Sequence, residues 1–128
     1  MSVPSIADEI KNAMGAHGAW KLKLRTAIST GRSDFKPAQV RCDDGCAFGQ
    51  WLHGSGIDRE TKQGMPYKVV RRLHAEFHQC AGDVLAMAIA DQKDKALALL
   101  EGEYTERSEK LVRALTKWRG EVTAAQYA

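Results

Sequence analysis

Apolar side chains recur at steps of three and four residues along three long stretches of the chain, the spacing that places them on one face of a helix. The first stretch runs from about Pro4 to about Thr30, with Ser2 or Ser5 as its N-cap and Gly31 as its end. Its inward positions are Ile6, Ile10, Ala13, His17, Trp20, Leu24 and Ala27. This pattern predicts a first helix with one histidine on its buried face.

Two later stretches carry the same pattern. One begins near Pro66 and ends near Asp91, and the other runs from Lys93 to about Trp118, where Gly102 is expected to break it into two helices. The inward positions of the first are Val70, Leu73, His74, Phe77, His78, Ala81, Val84, Leu85 and Ala88. Those of the second are Leu97, Leu100, Tyr104, Ser108, Leu111, Leu115 and Trp118.

The connection between these stretches is rich in turn-forming residues and shows no strand-like alternation. We expect a helical turn after Pro37, a short helix from Cys46 to His53 with Asp44 as its N-cap, and another turn from Asp58 to Gly64. The sequence therefore predicts a single all-α domain over residues 1–128. Its architecture is an antiparallel four-helix bundle with an extra short helix that carries Cys46.

Composition excludes several classes of protein. The net charge of +3 is too small to indicate nucleic-acid binding, and the longest apolar run, Val84 to Ala90, is too short to span a membrane. The N-terminus lacks the apolar segment of a signal peptide, so we expect a cytoplasmic protein. Three cysteines without a disulfide framework then point to a metal site or a reactive thiol.

Three histidines on buried helix faces are the strongest chemical signal. His74 and His78 are four residues apart, the spacing that presents two imidazoles to one metal ion, and His17 faces inward from the first helix. Cys46 is the natural fourth ligand, because a helix N-terminus favours the thiolate form of a cysteine. These four residues predict a closed tetrahedral Zn²⁺ site. The alternatives are buried histidines with ordinary hydrogen bonds and a cysteine that only fills space.

Five other residues fit a ligand role less well. Cys42 lies in a Cys-x3-Cys pair whose middle residues resemble a turn, and His53 is expected to be exposed at the end of the short helix. Cys80 is rotated away from the face that carries the histidines. Tyr104 and Ser108 fall on a buried stripe, where they could hydrogen-bond a ligand or simply pack.

An enzyme is not expected. Glu76 lies about 200° around the helix from His74, so it cannot serve as the base of a zinc hydrolase, and four protein ligands leave no position for a substrate. A di-iron site would need carboxylates at inward positions, and none of the inward positions is acidic.

The chain resembles the chemoreceptor zinc-binding domain family along most of its length. The resemblance rests on His17-Gly-Ala-Trp20-Lys21 with Leu24, Cys46-Ala-Phe48-Gly49-Gln-Trp51-Leu52, His74-x-x-Phe77-His78 and Ser108-x-x-Leu111 followed by Trp118. It implies that His17, Cys46, His74 and His78 bind one zinc ion per subunit of a helical homodimer.

The resemblance also implies a function. Family members are attached to bacterial chemoreceptors or diguanylate cyclases and are proposed to sense zinc, or oxidants such as hypochlorous acid, through the zinc-bound cysteine. We therefore expect a sensory module of chemotaxis or cyclic-di-GMP signalling. The alternative is a structural zinc bundle that acts in dimerisation or interaction. Since residues 1–128 leave no room for a receptor coiled coil or a cyclase, an excised or free-standing domain is expected.

Overall fold

The computed structural model describes residues 5–126, which form helices and connecting turns without any strand. The helices are α1 (Ile6–Thr30), α2 (Pro37–Arg41), α3 (Ala47–His53), α4 (Arg59–Gln63), α5 (Met65–Ile89), α6 (Lys93–Leu99) and α7 (Thr105–Gln126), and a π-helical segment (Leu100–Tyr104) joins α6 to α7. The predicted all-α fold is confirmed. Within the described helices, no segment is long and apolar enough to cross a membrane.

The first helix has the predicted ends. Ser5 is its N-cap and accepts a hydrogen bond from the backbone N–H of Asp8, whereas Ser2 and Pro4 lie outside the described residues. Gly31 ends the helix in the left-handed conformation, with φ of 70°, and its N–H donates to the carbonyl of Ala27 at 2.8 Å. A glycine adopts this conformation without steric cost, so the helix stops there.

The core lies where α5 packs against α1, α2 and α7. Residues 90–92 link α5 to α6 in a tight turn, so the last helical segment runs back antiparallel along α5. Aromatic side chains are among the groups that attach the short helix α3 to this core. The hydroxyl of Tyr67 donates to the carbonyl of Leu52 at 2.7 Å, and the Trp51 ring lies 5.9 Å from that of Trp118.

Two predicted details were wrong in the last segment. Gly102 does not break it, because the chain continues from α6 through the π-helical segment into α7. A π turn holds one residue more than an α turn, so positions on either side do not share one helical register. As a result Ala96 rather than Leu97 faces the core, Leu97 is 40% exposed, and Ser108 is only partly buried.

The N-cap of α3 also differs from the prediction. Cys46, not Asp44, occupies the cap position, and its Sγ accepts a hydrogen bond from the backbone N–H of Gly49 at 3.3 Å. The sulfur therefore takes the place of the serine or aspartate oxygen found at most helix starts. Gly54 ends the helix as expected. The predicted turn after Asp58 is confirmed as α4.

Candidate metal centre

Four side chains from three separate parts of the chain converge inside the bundle. His17 projects from α1, Cys46 from the N-cap of α3, and His74 and His78 from one face of α5. One donor atom from each of the four lies within 4.8 Å of the others. These are the four residues that the sequence predicted as ligands, and the structure places them together.

Four of the six distances between the donor atoms are close to those of a tetrahedron around zinc. Nε2 of His74 lies 3.0 Å from Nε2 of His17 and 3.1 Å from Nε2 of His78. Cys46 Sγ lies 3.4 Å and 3.6 Å from Nε2 of His74 and His78. Zinc bonds of about 2.0–2.1 Å to nitrogen and about 2.3 Å to sulfur give tetrahedral edges of about 3.3 Å and about 3.6 Å. Both the residue types and their separations therefore suit one Zn²⁺.

Two of the imidazoles are oriented by backbone carbonyls. Nδ1 of His17 lies 2.7 Å from the carbonyl oxygen of Ala13, and Nδ1 of His78 lies 2.8 Å from that of Val40. A carbonyl accepts only, so both Nδ1 atoms carry the proton and both Nε2 atoms present a lone pair to the centre. This arrangement is typical of histidines that bind metal through Nε2.

His74 cannot donate a hydrogen bond to both of the other histidines at once. It is 0% exposed, and its Nε2 faces the lone pairs of both other histidines, so one proton there could serve only one of them well. Its Nδ1 is buried and has no hydrogen-bond partner among the described residues. The ring packs instead edge-on against Phe48 and His17, whose ring centroids lie 5.2 Å and 4.9 Å from its own. A cation shared by three lone pairs fits this cluster better than a proton does.

Burial sets the charge of the four donors. It lowers the pKa of His17 to about 4 and that of His74 to about 2, and it also lowers the pKa of His78. The three imidazoles are therefore neutral ligands at neutral pH. Burial raises the pKa of the Cys46 thiol. Hydrogen bonds from backbone N–H groups near the start of α3 lower this pKa, but the effect of burial is larger. The expected thiolate preference at this helix start is thus wrong for the metal-free centre, and metal binding must displace a proton.

The position of Cys46 depends on a close backbone crossing. The segment at Asp43 and Asp44 passes directly over Gly49, and a Cβ added at Gly49 would overlap the carbonyl of Asp43. Nε2 of His53 lies 2.9 Å from Oδ2 of Asp43, which ties the same segment to the last turn of α3. His53 is exposed, as predicted, and it stands outside the four donors.

The remaining candidates lie apart from the centre. Cys42 is exposed and its thiol donates to the carbonyl of Ala38, while Cys80 is buried on another face of α5. Glu76 pairs with Arg107 at 2.8 Å and so points away from the histidines, as predicted. In the described part of the chain, neither Tyr104 nor Ser108 hydrogen-bonds to any of the four donors. Backbone groups support the histidines instead, and these carry no residue signature in a sequence.

The family model of the chemoreceptor zinc-binding domain matches residues 17–85, more than half of the 128-residue chain. The chain belongs to the chemoreceptor zinc-binding domain family. The match begins at His17 and includes all four converging donors, as expected if the zinc site defines the domain. Neither the curated proteins nor the solved structures gave a match to the chain. The resemblance seen in the sequence is therefore confirmed by the family model and by the geometry of this chemoreceptor zinc-binding domain.

Proposed function

We propose that His17, Cys46, His74 and His78 hold one Zn²⁺ and that the chain is a sensory module which responds to zinc or to oxidants such as hypochlorous acid. The observation that carries this proposal is the convergence of three Nε2 atoms and one sulfur within 4.8 Å of one another. The set is the one expected for a closed zinc site. Membership of a zinc-binding domain family supports the same metal.

The exposure of the donors supports an oxidant as a stimulus. The three histidines are at most 3% exposed, whereas Cys46 is only partly buried. A groove of about 540 Å³ beside the centre is lined by Trp20, Phe35, Cys46 and His78, among others. A small neutral oxidant that entered this groove would come to Cys46, one of its lining residues. The most oxidisable atom of the centre is thus also the most accessible one.

The chemistry follows from the role of Cys46 in the fold. Zn²⁺, when bound, would keep the sulfur as a thiolate, the form that reacts with oxidants. Oxidation to a sulfenic acid removes the negative charge that makes the sulfur a good ligand. Because the same sulfur caps α3, the change would also weaken the hydrogen bond that it accepts from Gly49. A weaker cap would loosen α3, and the contacts of Tyr67 and Trp118 would transmit the change to α5 and α7.

Metal quantitation before and after a pulse of hypochlorous acid tests this function directly. We expect the wild-type protein to be purified with one equivalent of zinc and to release it after the pulse. Cys46→Ala should hold zinc weakly and lose its dependence on oxidant, while Cys80→Ser should behave as wild type. If wild type and Cys46→Ala release zinc in the same way, the oxidant-sensing function is wrong. A wild-type protein without zinc would exclude it altogether.

A structural zinc site is the second candidate. Four protein donors leave no open position, and a closed site contributes folding free energy whether or not it signals. In that case the chain would serve as a dimerisation or interaction domain. Removal of zinc would then lower the melting temperature, but oxidant would not change zinc content at concentrations that spare other thiols. Because four protein donors leave no position for a substrate on the metal, we propose that the chain is not an enzyme.

We propose that the module acts in the cytoplasm as a homodimer, without binding nucleic acid or membranes. We also propose that it signals to a chemoreceptor or a diguanylate cyclase. The family description supports a chemoreceptor. The net charge of +3, without a dense basic stripe, argues against a nucleic-acid partner. Light scattering of the zinc-loaded protein tests the dimer.

A further inference from the structure

A second cysteine opens onto the groove that reaches the metal centre. Cys42 is exposed, Cys46 is partly buried, and the two side chains line the same groove of about 540 Å³. The third cysteine, Cys80, is buried between α5 and α7 and does not line this groove. Of the two cysteines outside the zinc centre, only Cys42 is therefore placed to react with Cys46.

The backbone brings these two cysteines towards each other. Cys42 is the C-cap of α2 and Cys46 is the N-cap of α3, so they stand at facing ends of two short helices. The connecting turn is closed by the N–H of Gly45, which donates to the carbonyl of Cys42 at 3.4 Å. A Cβ added at Gly45, the residue next to Cys46, would lie 4.0 Å from Cβ of Cys42. The turn thus brings Gly45, the residue before Cys46, back against Cys42.

The Cys42 sulfur is not locked in place by strong contacts. The Cys42 thiol makes one hydrogen bond, to the carbonyl of Ala38 at 3.3 Å, and a thiol is a weak donor. Rotation about the Cα–Cβ bond of Cys42 would break that bond and turn the sulfur into the groove. Cys46 Sγ already lies over the turn, 4.0 Å from the carbonyl oxygen of Asp43.

We infer that Cys42 is the resolving thiol of this centre and condenses with oxidised Cys46 to form an intramolecular disulfide. The inference rests on the proposed oxidant-sensing function. The sulfur of Cys46 takes chlorine from hypochlorous acid as hydroxide leaves, and water replaces chloride to give the sulfenic acid. Two electrons pass from sulfur to chlorine. The Cys42 thiolate then attacks the Cys46 sulfur, the S–S bond forms, the S–O bond breaks, and hydroxide leaves as water after taking up the proton of the thiol.

The disulfide would make the response reversible. A sulfenic acid without a nearby thiol can be oxidised further to a sulfinic acid, which thiol reductants do not restore. A disulfide is returned to two thiols by exchange with a reducing dithiol. While the disulfide lasts, the sulfur of Cys46 cannot be a thiolate ligand. Cys42 would therefore hold the centre open until reduction allows zinc to bind again.

The test uses the zinc-loaded full chain, an equimolar dose of hypochlorous acid, and dimedone to trap sulfenic acid. Wild type and the control Cys80→Ser should give a non-reduced peptide that links Cys42 to Cys46, little dimedone adduct, and zinc rebinding after dithiothreitol. Cys42→Ser should contain as much zinc as wild type before oxidation. After the pulse it should show several-fold more dimedone adduct and sulfinic acid at Cys46, with loss of zinc rebinding.

Two results would overturn the inference. One is equal dimedone labelling of wild type and Cys42→Ser, and the other is disulfide formation between two chains alone. In either case, zinc release that still depends on Cys46 would leave the proposed function standing. Zinc release that is the same in wild type and Cys46→Ala would instead contradict the proposed function.

Discussion

Nδ1 of His78 donates a hydrogen bond to the carbonyl oxygen of Val40 across 2.8 Å, so the five-residue helix α2 takes part in orienting one of the four converging donors. Val40 reaches this position because α2 packs tightly against α5. A Cβ added at Gly82 would lie 3.1 Å from the carbonyl oxygen of Pro37 and would also meet the side chain of Arg41. Arg41 in turn pairs with Asp83 at 3.0 Å. A glycine on α5 thus controls the support of a histidine on the same helix.

Gly82→Ala should therefore weaken zinc binding although residue 82 touches none of the four donors. The added methyl group would push α2 away and lengthen the hydrogen bond between His78 and Val40. We expect zinc affinity to fall by about 10-fold, the lower end of the effect of losing a ligand's hydrogen-bond partner. Competition with a chromophoric chelator measures the change. The matched control is Gly120→Ala on α7, where an added Cβ meets nothing within 4 Å. Equal affinities of the two variants would contradict this role of α2.

Gly49→Ala tests the backbone crossing that places Cys46. The added Cβ would overlap the carbonyl of Asp43, so either this segment or the start of α3 must move. Overpacking of this kind costs about 1–3 kcal/mol, and here it would also displace the sulfur that caps α3. We expect lower zinc content on purification and a lower melting temperature of the zinc-loaded protein.

Gly45→Ala is the control for Gly49→Ala, because a Cβ there would make only ordinary contacts of 3.6 Å or more in the same segment. If Gly49→Ala bound zinc as tightly as Gly45→Ala, the crossing would have no part in placing Cys46.

Much of this centre could be predicted from the sequence, and the reasons are physical. His17, His74 and His78 occupy positions in regular α-helices, where a period of 3.6 residues relates sequence to facing direction. The π-helical segment interrupts that period, so the prediction that Leu97 faces the core was wrong. The capping role of Cys46 was missed because cysteine is rare at N-caps, where serine and aspartate prevail. The carbonyl of Val40 could not be predicted at all, since it comes from tertiary packing rather than from a residue type.

Zinc removal should destabilise the protein without unfolding it completely. The apolar core formed by α1, α5 and α7 remains when the metal leaves, so the helical content of the chelated protein should stay high. A ligand that binds only the folded state at 100 times its dissociation constant adds about 2.7 kcal/mol. We expect a melting temperature several degrees lower after chelation and full recovery on adding zinc. Circular dichroism melts measure the fall in melting temperature and its recovery. Loss of all helical signal at 25 °C on chelation would show instead that the metal is required for folding.

The zinc-free protein should lose stability on acidification because its buried histidines resist protonation. The folded-state pKa of His17 is lowered from 6.5 to about 4, mainly by burial. Between these two values the unfolded chain binds a proton that the folded chain does not, so the free energy of unfolding falls as pH falls. His17 alone accounts for about 3 kcal/mol over this interval, at about 1.4 kcal/mol per pKa unit. Above pH 6.5 this contribution is complete and the stability should no longer change on its account.

Urea unfolding of the zinc-free protein at pH 7.5, 6.5, 5.5 and 4.5 measures this dependence. His17→Gln should make it less steep, because glutamine does not titrate, while His74 and His78 still contribute. The sign follows from desolvation, since the folded protein disfavours the charged imidazole and each proton taken up favours unfolding. A stability that rises on acidification, or a slope unchanged in His17→Gln, would mean that His17 is solvated in the metal-free protein and that the three imidazoles separate when zinc is absent.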